Sequence, residues 1–256
     1  MVSPQNFTSK EDKLFFDKLA DWIHIVQKNW TERFSFFLDQ RQQAAAEYYL
    51  SKAGFSPYAF YGGYGEAQRK VLGLFLEYSE PEENSFPVQA VTLRFKKEYQ
   101  LRHQDILGSL MALEIKRELV GDILVDEGIA VVFCLPPANH LIMNELEKVG
   151  RVGVQKEEGR PQQLPQGVKL LPITGTVSSM RLDCVIAFLA NISREKSAAL
   201  IKSGAVSVNF FENKEVEQPL KEKDILSVRG YGRYEVTQIG GATKKGRLHL
   251  TCSKYV

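Results

Sequence analysis

Residues 157–167 read EEGRPQQLPQG, with two prolines and one leucine in eleven positions. So little apolar content cannot join a hydrophobic core, and each proline removes a backbone hydrogen-bond donor. The chain is therefore expected to fold in separate parts on either side, each burying its own apolar residues. A second polar, proline-bounded stretch, PEENSFP at 81–87, divides the front part again. The expected organisation is an N-terminal region over 1–84, a domain over 85–160 and a domain over 168–256. The 256 residues are enough for that division.

In the first region, Phe15, Leu19, Trp22, Ile23, Val26 and Trp30 recur at helical spacing. They predict a helix from Lys10 to Trp30 with one apolar stripe. A second helix is expected over Thr31–Ala53, with Phe34, Leu38, Ala45 and Tyr49 inward and Gly54 as its stop. Arg69 to Leu76 reads as a strand. Gly62-Gly63 lacks the Gly-Lys-Ser/Thr that a phosphate loop needs, so it predicts a turn only.

Residues 87–157 give a pattern of their own. Val88–Phe95 reads as a strand and Gln104–Leu113 as a helix with Ile106, Leu107, Leu110 and Leu113 inward. Asp122–Val125 and Ile129–Leu135 read as strands joined by Asp126-Glu127-Gly128, a hairpin signal. Ala138–Lys148 reads as a helix and Val152–Lys156 as a strand. The order βαββαβ is the ferredoxin-like arrangement, a topology shared by RNA-recognition domains and many unrelated proteins.

The last part opens with Val168–Val177, expected to be a strand. Leu182, Val185, Ile186 and Leu189 then form the apolar stripe of one short helix. Ser193 stands where an N-cap belongs, Leu200 and Ile201 give a second helix its buried side, and Gly204 ends it. Val206 and Val208 alternate with polar residues, and Ile225–Arg229 supplies another strand. From Thr176 to Val256 there are thirteen Lys/Arg against eight Asp/Glu, and in residues 1–175 twenty against twenty-three. The net charge of +2 is thus concentrated at the C-terminal end, where a polyanion is the expected partner.

Arg181-Leu182-Asp183, Ser193-Arg194, Leu200-Ile201, Gly204, Val206, Val208-Asn209, Asp224, Arg229-Gly230 and Gly232-Arg233 occur in that order. The stretch resembles the S4 (αL) RNA-binding domain. One departure is visible: a glycine commonly follows the Val-Asn pair, whereas Phe210 does here. A longer turn through Phe211, Glu212, Asn213 and Lys214 is expected in consequence.

FYGGYGEAQRKVL at 60–72 and RHQDILGSLMALEIKRELVGDILV at 102–125, followed by the C-terminal part, resemble the YlmH family of bacterial S4 proteins. Lys116, Arg117, Gly121 and Asp122 match that family, and Gln104 replaces its usual arginine. The resemblance implies an α+β protein: an N-terminal helical segment, a ferredoxin-like middle domain and a C-terminal S4 domain. It implies a non-enzymatic protein that binds structured RNA (rRNA and tRNA) on the large ribosomal subunit, in rescue or quality control, with a link to cell division. The RNA contacts expected are Arg181, Arg194, Lys196, Lys202, Asn209, Arg229, Arg233, Lys244 and Lys245, with Arg194 foremost. Guanidinium groups suit phosphate because they donate two parallel hydrogen bonds. A second RNA surface is expected at His103, Lys116 and Arg117.

Catalytic readings have little to stand on. His24, His103, His140 and His249 share no local signature with Cys134, Cys184 and Cys252, whose spacing suits neither a metal site nor a disulfide framework. His103 and Asp105 are the best pair for an alternative reading as an RNA-modifying enzyme, but residues two apart on a helix do not share a face. Asp183 opens a helix, where a carboxylate meets the helix dipole. No cofactor loop or metal site is expected. No apolar run approaches membrane length, and the first residues lack a signal-peptide core. A cytoplasmic monomer is expected. The remaining alternative is a protein-interaction factor acting in cell division.

Overall fold

The computed structural model describes Phe7, residues 9–166 and residues 170–255. They form two compact units, Met1–Gly167 and Val168–Val256.

The front unit begins with α1 (Lys10–Asn29). Ser9 caps it, its Oγ accepting from the Asp12 amide at 3.0 Å while Asp12 Oδ2 accepts from the Ser9 amide at 3.1 Å. The helix ends at Trp30 in the left-handed region, which turns that ring out of the expected stripe and leaves it 68% exposed. β1 (Arg33–Leu38) follows, then α2 (Gln40–Ala53), β2 (Tyr58–Tyr61) and β3 (Lys70–Leu74). The helix expected from Thr31 is therefore strand in its first third. RFSFFL fits both periods, and Asp39 decides between them: its Oδ1 accepts from the Gln42 amide at 2.8 Å and starts α2 only there. The region expected to be helical with one short strand carries a three-stranded antiparallel sheet, ordered β1-β3-β2.

β4 (Gln89–Arg94), α3 (His103–Ala112), β5 (Val120–Asp126), β6 (Ile129–Cys134) and α4 (Pro136–Glu145) follow in the expected order, though α4 stops three residues short of the expected Lys148. A small hairpin of β7 (Lys148–Val149) and β8 (Val152–Gly153) precedes the last strand, β9 (Gln155–Glu158). The sheet runs β5-β6-β4-β9 with every pairing antiparallel, the strand order of a ferredoxin-like fold. Ile106 and Leu110 of α3 and Ala138 and Ile142 of α4 join Val91, Leu93, Ile123 and Val132 in its core.

The boundary expected at residue 84 falls inside this unit. Phe86, within the polar stretch, is buried against Phe34, Tyr61 and Phe75 at ring distances of 5.4, 5.5 and 5.7 Å. Phe37, Val71 and Phe75 share an apolar cluster with Leu124, Val131 and Phe133, so the two parts meet through a common core. Gly63 belongs to that seam. Its φ is +98°, and a Cβ there would lie 2.2 Å from the Phe133 ring. The glycine pair serves close packing.

The C-terminal unit contains β10 (Leu170–Val177), α5 (Leu182–Leu189), α6 (Arg194–Lys202), β11 (Val206–Val208), β12 (Phe211–Glu212), β13 (Ile225–Val228), β14 (Gly232–Ala242) and β15 (Leu248–Tyr255). Residues 168 and 169 of the expected leading strand lie outside the described residues. The six-stranded sheet is ordered β10-β15-β14-β13-β11-β12. The apolar stripes of both helices close on it: Leu182, Val185, Ile186, Leu189 and Ile201 pack with Val206, Leu226, Tyr234 and Leu250.

The long turn expected after Asn209 is instead a two-residue hairpin. Val208 pairs with Phe211 and Ser207 with Glu212, leaving Asn209 and Phe210 at φ +49° and +73°. Asn209 adopts this region because its side chain holds it there. Oδ1 accepts from the Ile225 amide and Nδ2 donates to Asp224 Oδ1, both at 2.9 Å. A positive φ at Phe210 also gives a physical reason for a glycine after a Val-Asn pair.

Candidate nucleic-acid interface

Ser193 caps α6 as expected, Oγ accepting from the Lys196 amide at 3.2 Å. The cap places Arg194 at the first helical position and aims it at Asp183 in the first turn of α5. Arg194 Nη2 reaches Asp183 Oδ2 at 2.6 Å and Arg181 Nε reaches Oδ1 at 3.1 Å. Ser197 Oγ donates to the Asp183 carbonyl at 2.9 Å and ties α6 to α5 at the same residue. Asp183 is 3% exposed. Burial opposes its ionisation, but hydrogen bonds from Arg194 and Arg181 outweigh that and hold the carboxyl below its ordinary range. This carboxylate is a clamp for two guanidinium groups.

The clamp fixes the two arginines at different exposures. Arg181, also paired with Glu217 at 2.9 Å, is 35% exposed at its side chain, and Arg194 is 57% exposed. Lys196 and Lys202 lie on α6, exposed. Arg229 is exposed in the turn after β13, its amide donating to the Ala205 carbonyl at 2.9 Å. The Arg233 guanidinium lies over the Phe210 and Tyr255 rings, 5.8 Å from each centroid. Lys244 and Lys245 sit beyond the opposite end of β14, about 30 Å away at strand rise. Arg233 and the lysine tip therefore stand apart on one long hairpin. Asn209, expected to meet a sugar or base, uses its Oδ1 and one Nδ2 hydrogen in the turn described above.

The front unit brings together residues that the sequence keeps far apart. Asp122 of β5 accepts from the Tyr64 hydroxyl at 2.8 Å, the Gln68 amide at 2.6 Å and the Arg69 amide at 3.2 Å. Stretch 60–72 is thereby fastened to stretch 102–125. Arg69 Nε and Arg117 Nη1 donate to one oxygen, the Val120 carbonyl. Burial, and next to it the charge of Arg69, push the Arg117 guanidinium down to about 10, with Asp122 opposing. Lys116 is exposed beside it. His103, at the start of α3, is held below its ordinary range by partial burial and then by the charge of Arg117. Asp105 faces elsewhere, accepting from the Arg102 amide at 2.9 Å to cap the helix. Among the described residues no hydrogen bond joins His103 to Asp105. Arg69, Tyr64 and Asp122 were not foreseen as a site. Their signal was present in the two quoted motifs, but nothing in either shows that they meet.

A family model described as a putative RNA-binding domain in YlmH matches residues 81–163. A Bacillus subtilis (strain 168) protein, ribosome-associated protein quality control protein P2, is 35% identical over 247 residues. That match covers 94% of this chain and 95% of the relative. The chain belongs to the YlmH family. A solved structure, cell division protein ylmH from Streptococcus pneumoniae, is 29% identical with a TM-score of 0.52. It covers 60% of this chain and 93% of its own. In this YlmH-family chain the matched stretch holds His103, Lys116 and Arg117, whereas Tyr64 and Arg69 lie ahead of it. Among the described residues no helix is long and apolar enough to cross a membrane, and no group of three His, Cys, Asp or Glu could hold a metal ion.

Proposed function

We propose that this protein is a non-enzymatic RNA-binding factor that holds rRNA of the large ribosomal subunit, with tRNA beside it, and acts in ribosome-associated quality control. The C-terminal unit, read as an S4 domain, is the anchor. The observation that carries this reading is the clamp at Asp183. It turns the one buried carboxylate in the helix pair into a fixed mount for two partly exposed guanidinium groups, Arg181 and Arg194. Phosphate is the ligand such a mount suits: Asp183 takes Nε and Nη2 of each guanidinium, and the outer Nη1 donors stay available for a charge-assisted bond. Lys196, Lys202, Arg229, Arg233, Lys244 and Lys245 add charge on the same unit. The quality-control role of the B. subtilis relative supports the ribosome as the source of that RNA. The protein is proposed to act as a cytoplasmic monomer.

Sedimentation through a density gradient with purified large subunits tests the reading. The protein should travel with the subunits at low salt, leave them at high salt, and crosslink to rRNA through the C-terminal unit. Recovery only at the top of the gradient at every salt concentration would overturn it. The alternative of an RNA-modifying enzyme predicts instead a base modification missing from a deletion strain, read by mass spectrometry of its RNA.

A further inference from the structure

Arg69 and Arg117 are two half-buried guanidinium groups that make no ion pair among the described residues. Each is fastened on its inner side by main-chain oxygens. Arg69 donates from Nε to Val120 at 3.2 Å and from Nη2 to Phe37 at 2.9 Å. Arg117 donates from Nη1 to Val120 and to Gly121, the latter at 3.3 Å. Asp122, a carboxylate whose charge acts on both, is filled by the Tyr64 hydroxyl and two amides. Arg69 Nη1 and both Nε and Nη2 of Arg117 carry no bond among the described residues, so each group keeps donors for a ligand.

Both open on a cavity of about 680 Å³ that Lys18, Lys116 and Phe36 also line. The same lining holds two carboxylates: Asp39, which caps α2, and the exposed Glu118. Four cations therefore face two carboxylates, in the part of the chain that is acidic overall. Phe36 is 41% exposed, and Lys18 lies 5.5 Å from its ring centroid. Two like charges sharing one carbonyl repel each other, and burial removes the water that would screen them. An anion placed between them relieves both costs.

We propose that this cavity binds a phosphate group of RNA, held by Arg69 and Arg117, with Lys116 and Lys18 on its approach and the Phe36 ring available to a neighbouring base. The inference rests on the RNA-binding reading above and adds a second contact in the other unit. RNA is favoured over an acidic peptide for two reasons. Paired guanidinium groups beside an exposed aromatic ring match phosphate and base together. Lys116 and Arg117 also lie within the stretch matched to a putative RNA-binding domain.

Lysine-acetylation footprinting of the full chain, with rRNA extracted from large subunits as the probe, tests this. Lys18 and Lys116 should be protected along with Lys244 and Lys245. Arg117→Gln should remove the protection of Lys18 and Lys116 alone. Because Arg117 also ties the chain at Val120 and Gly121, the exposed Lys116→Glu is the second variant. It should weaken protection of Lys18 roughly tenfold, the scale of one lost hydrogen bond to a charged group. Protection confined to Lys244 and Lys245 would overturn the inference and leave the C-terminal anchor standing. Protection at none of the four would overturn both. Poly-glutamate protecting Lys18 and Lys116 where rRNA does not would overturn it in favour of an acidic protein partner.

Discussion

Arg194 Nη2 lies 2.6 Å from Asp183 Oδ2, although the two residues belong to different helices. The carboxyl is ionised below the usual aspartate range, so the sign of its pH dependence follows. A folded-state value beneath the unfolded one of about 3.9 means the pair's stabilisation is complete above about pH 4. It is lost as pH falls through the folded value. Asp183→Ala should cost about 1.5–3 kcal/mol at neutral pH, the range for hydrogen bonds to a charged group. Arg194→Ala should cost less, because Arg181 stays. Urea denaturation at neutral and acidic pH checks this, and the variants should converge with wild type at low pH. The same geometry means a loss of RNA affinity in Arg194→Ala must be read beside its stability.

Lys244, Lys245 and Arg229 allow a cleaner test of RNA contact. All three are exposed, and none has a side-chain partner among the described residues. Their replacement by alanine should leave the unfolding midpoint unchanged and weaken rRNA binding. If about five cations of the C-terminal unit meet phosphates, the log–log salt dependence of affinity should have a slope of roughly −3 to −5. Each lost phosphate contact should flatten it by roughly 0.7–0.9. Filter binding across a salt series measures both, and a slope unaltered in all three variants would remove these residues from the interface.

The middle βαββαβ order and the helix pair of the C-terminal unit were legible because their apolar residues follow one period and their turns carry strong signals. Asp126-Glu127-Gly128 and Ser193 each stand where their chemistry demands. β1 was not legible, since Phe34 and Leu38 satisfy the helical and the extended period alike, and only the Asp39 cap separates them. Nor was the seam between the two parts of the front unit. Polar neighbours hide Phe86, and its partners Phe34, Tyr61 and Phe75 are scattered in sequence. The basic residues were found by type, but their roles depend on distance. Sequence spacing shows neither that Arg194 meets Asp183 nor that Arg69 and Arg117 share one oxygen.

Tyr64 couples those two parts, so its hydroxyl should matter to the whole front unit. The ring stacks on Phe133 at 5.0 Å, and the hydroxyl donates to Asp122. Burial, and next the Asp122 charge, raise its pKa, so it stays a donor across the working range. Tyr64→Phe keeps the stack and removes one charge-assisted hydrogen bond, at a cost of about 1.5–3 kcal/mol. Gly63→Ala should cost more, because its Cβ meets the Phe133 ring and its φ is positive. Chemical denaturation of the two variants, followed by front-unit fluorescence from Trp22 and Trp30, measures the difference. Equal stability of Tyr64→Phe and wild type would remove the Asp122 bond from the seam.

The thiols report on the two cores independently. Cys134 ends β6 in the front unit and Cys252 lies in β15 of the C-terminal unit, each fully buried. Burial pushes both thiols up to about 12. Since the thiolate is the reactive form, neither should react with a disulfide reagent at mildly alkaline pH until its own unit opens. Alkylation mapped by mass spectrometry should find both unlabelled in the native chain and fully labelled in guanidinium chloride. Asp183→Ala should accelerate labelling of Cys252 and leave Cys134 slow, because the lost clamp belongs to the C-terminal unit alone. Equal acceleration at both positions would mean that the two units unfold as one.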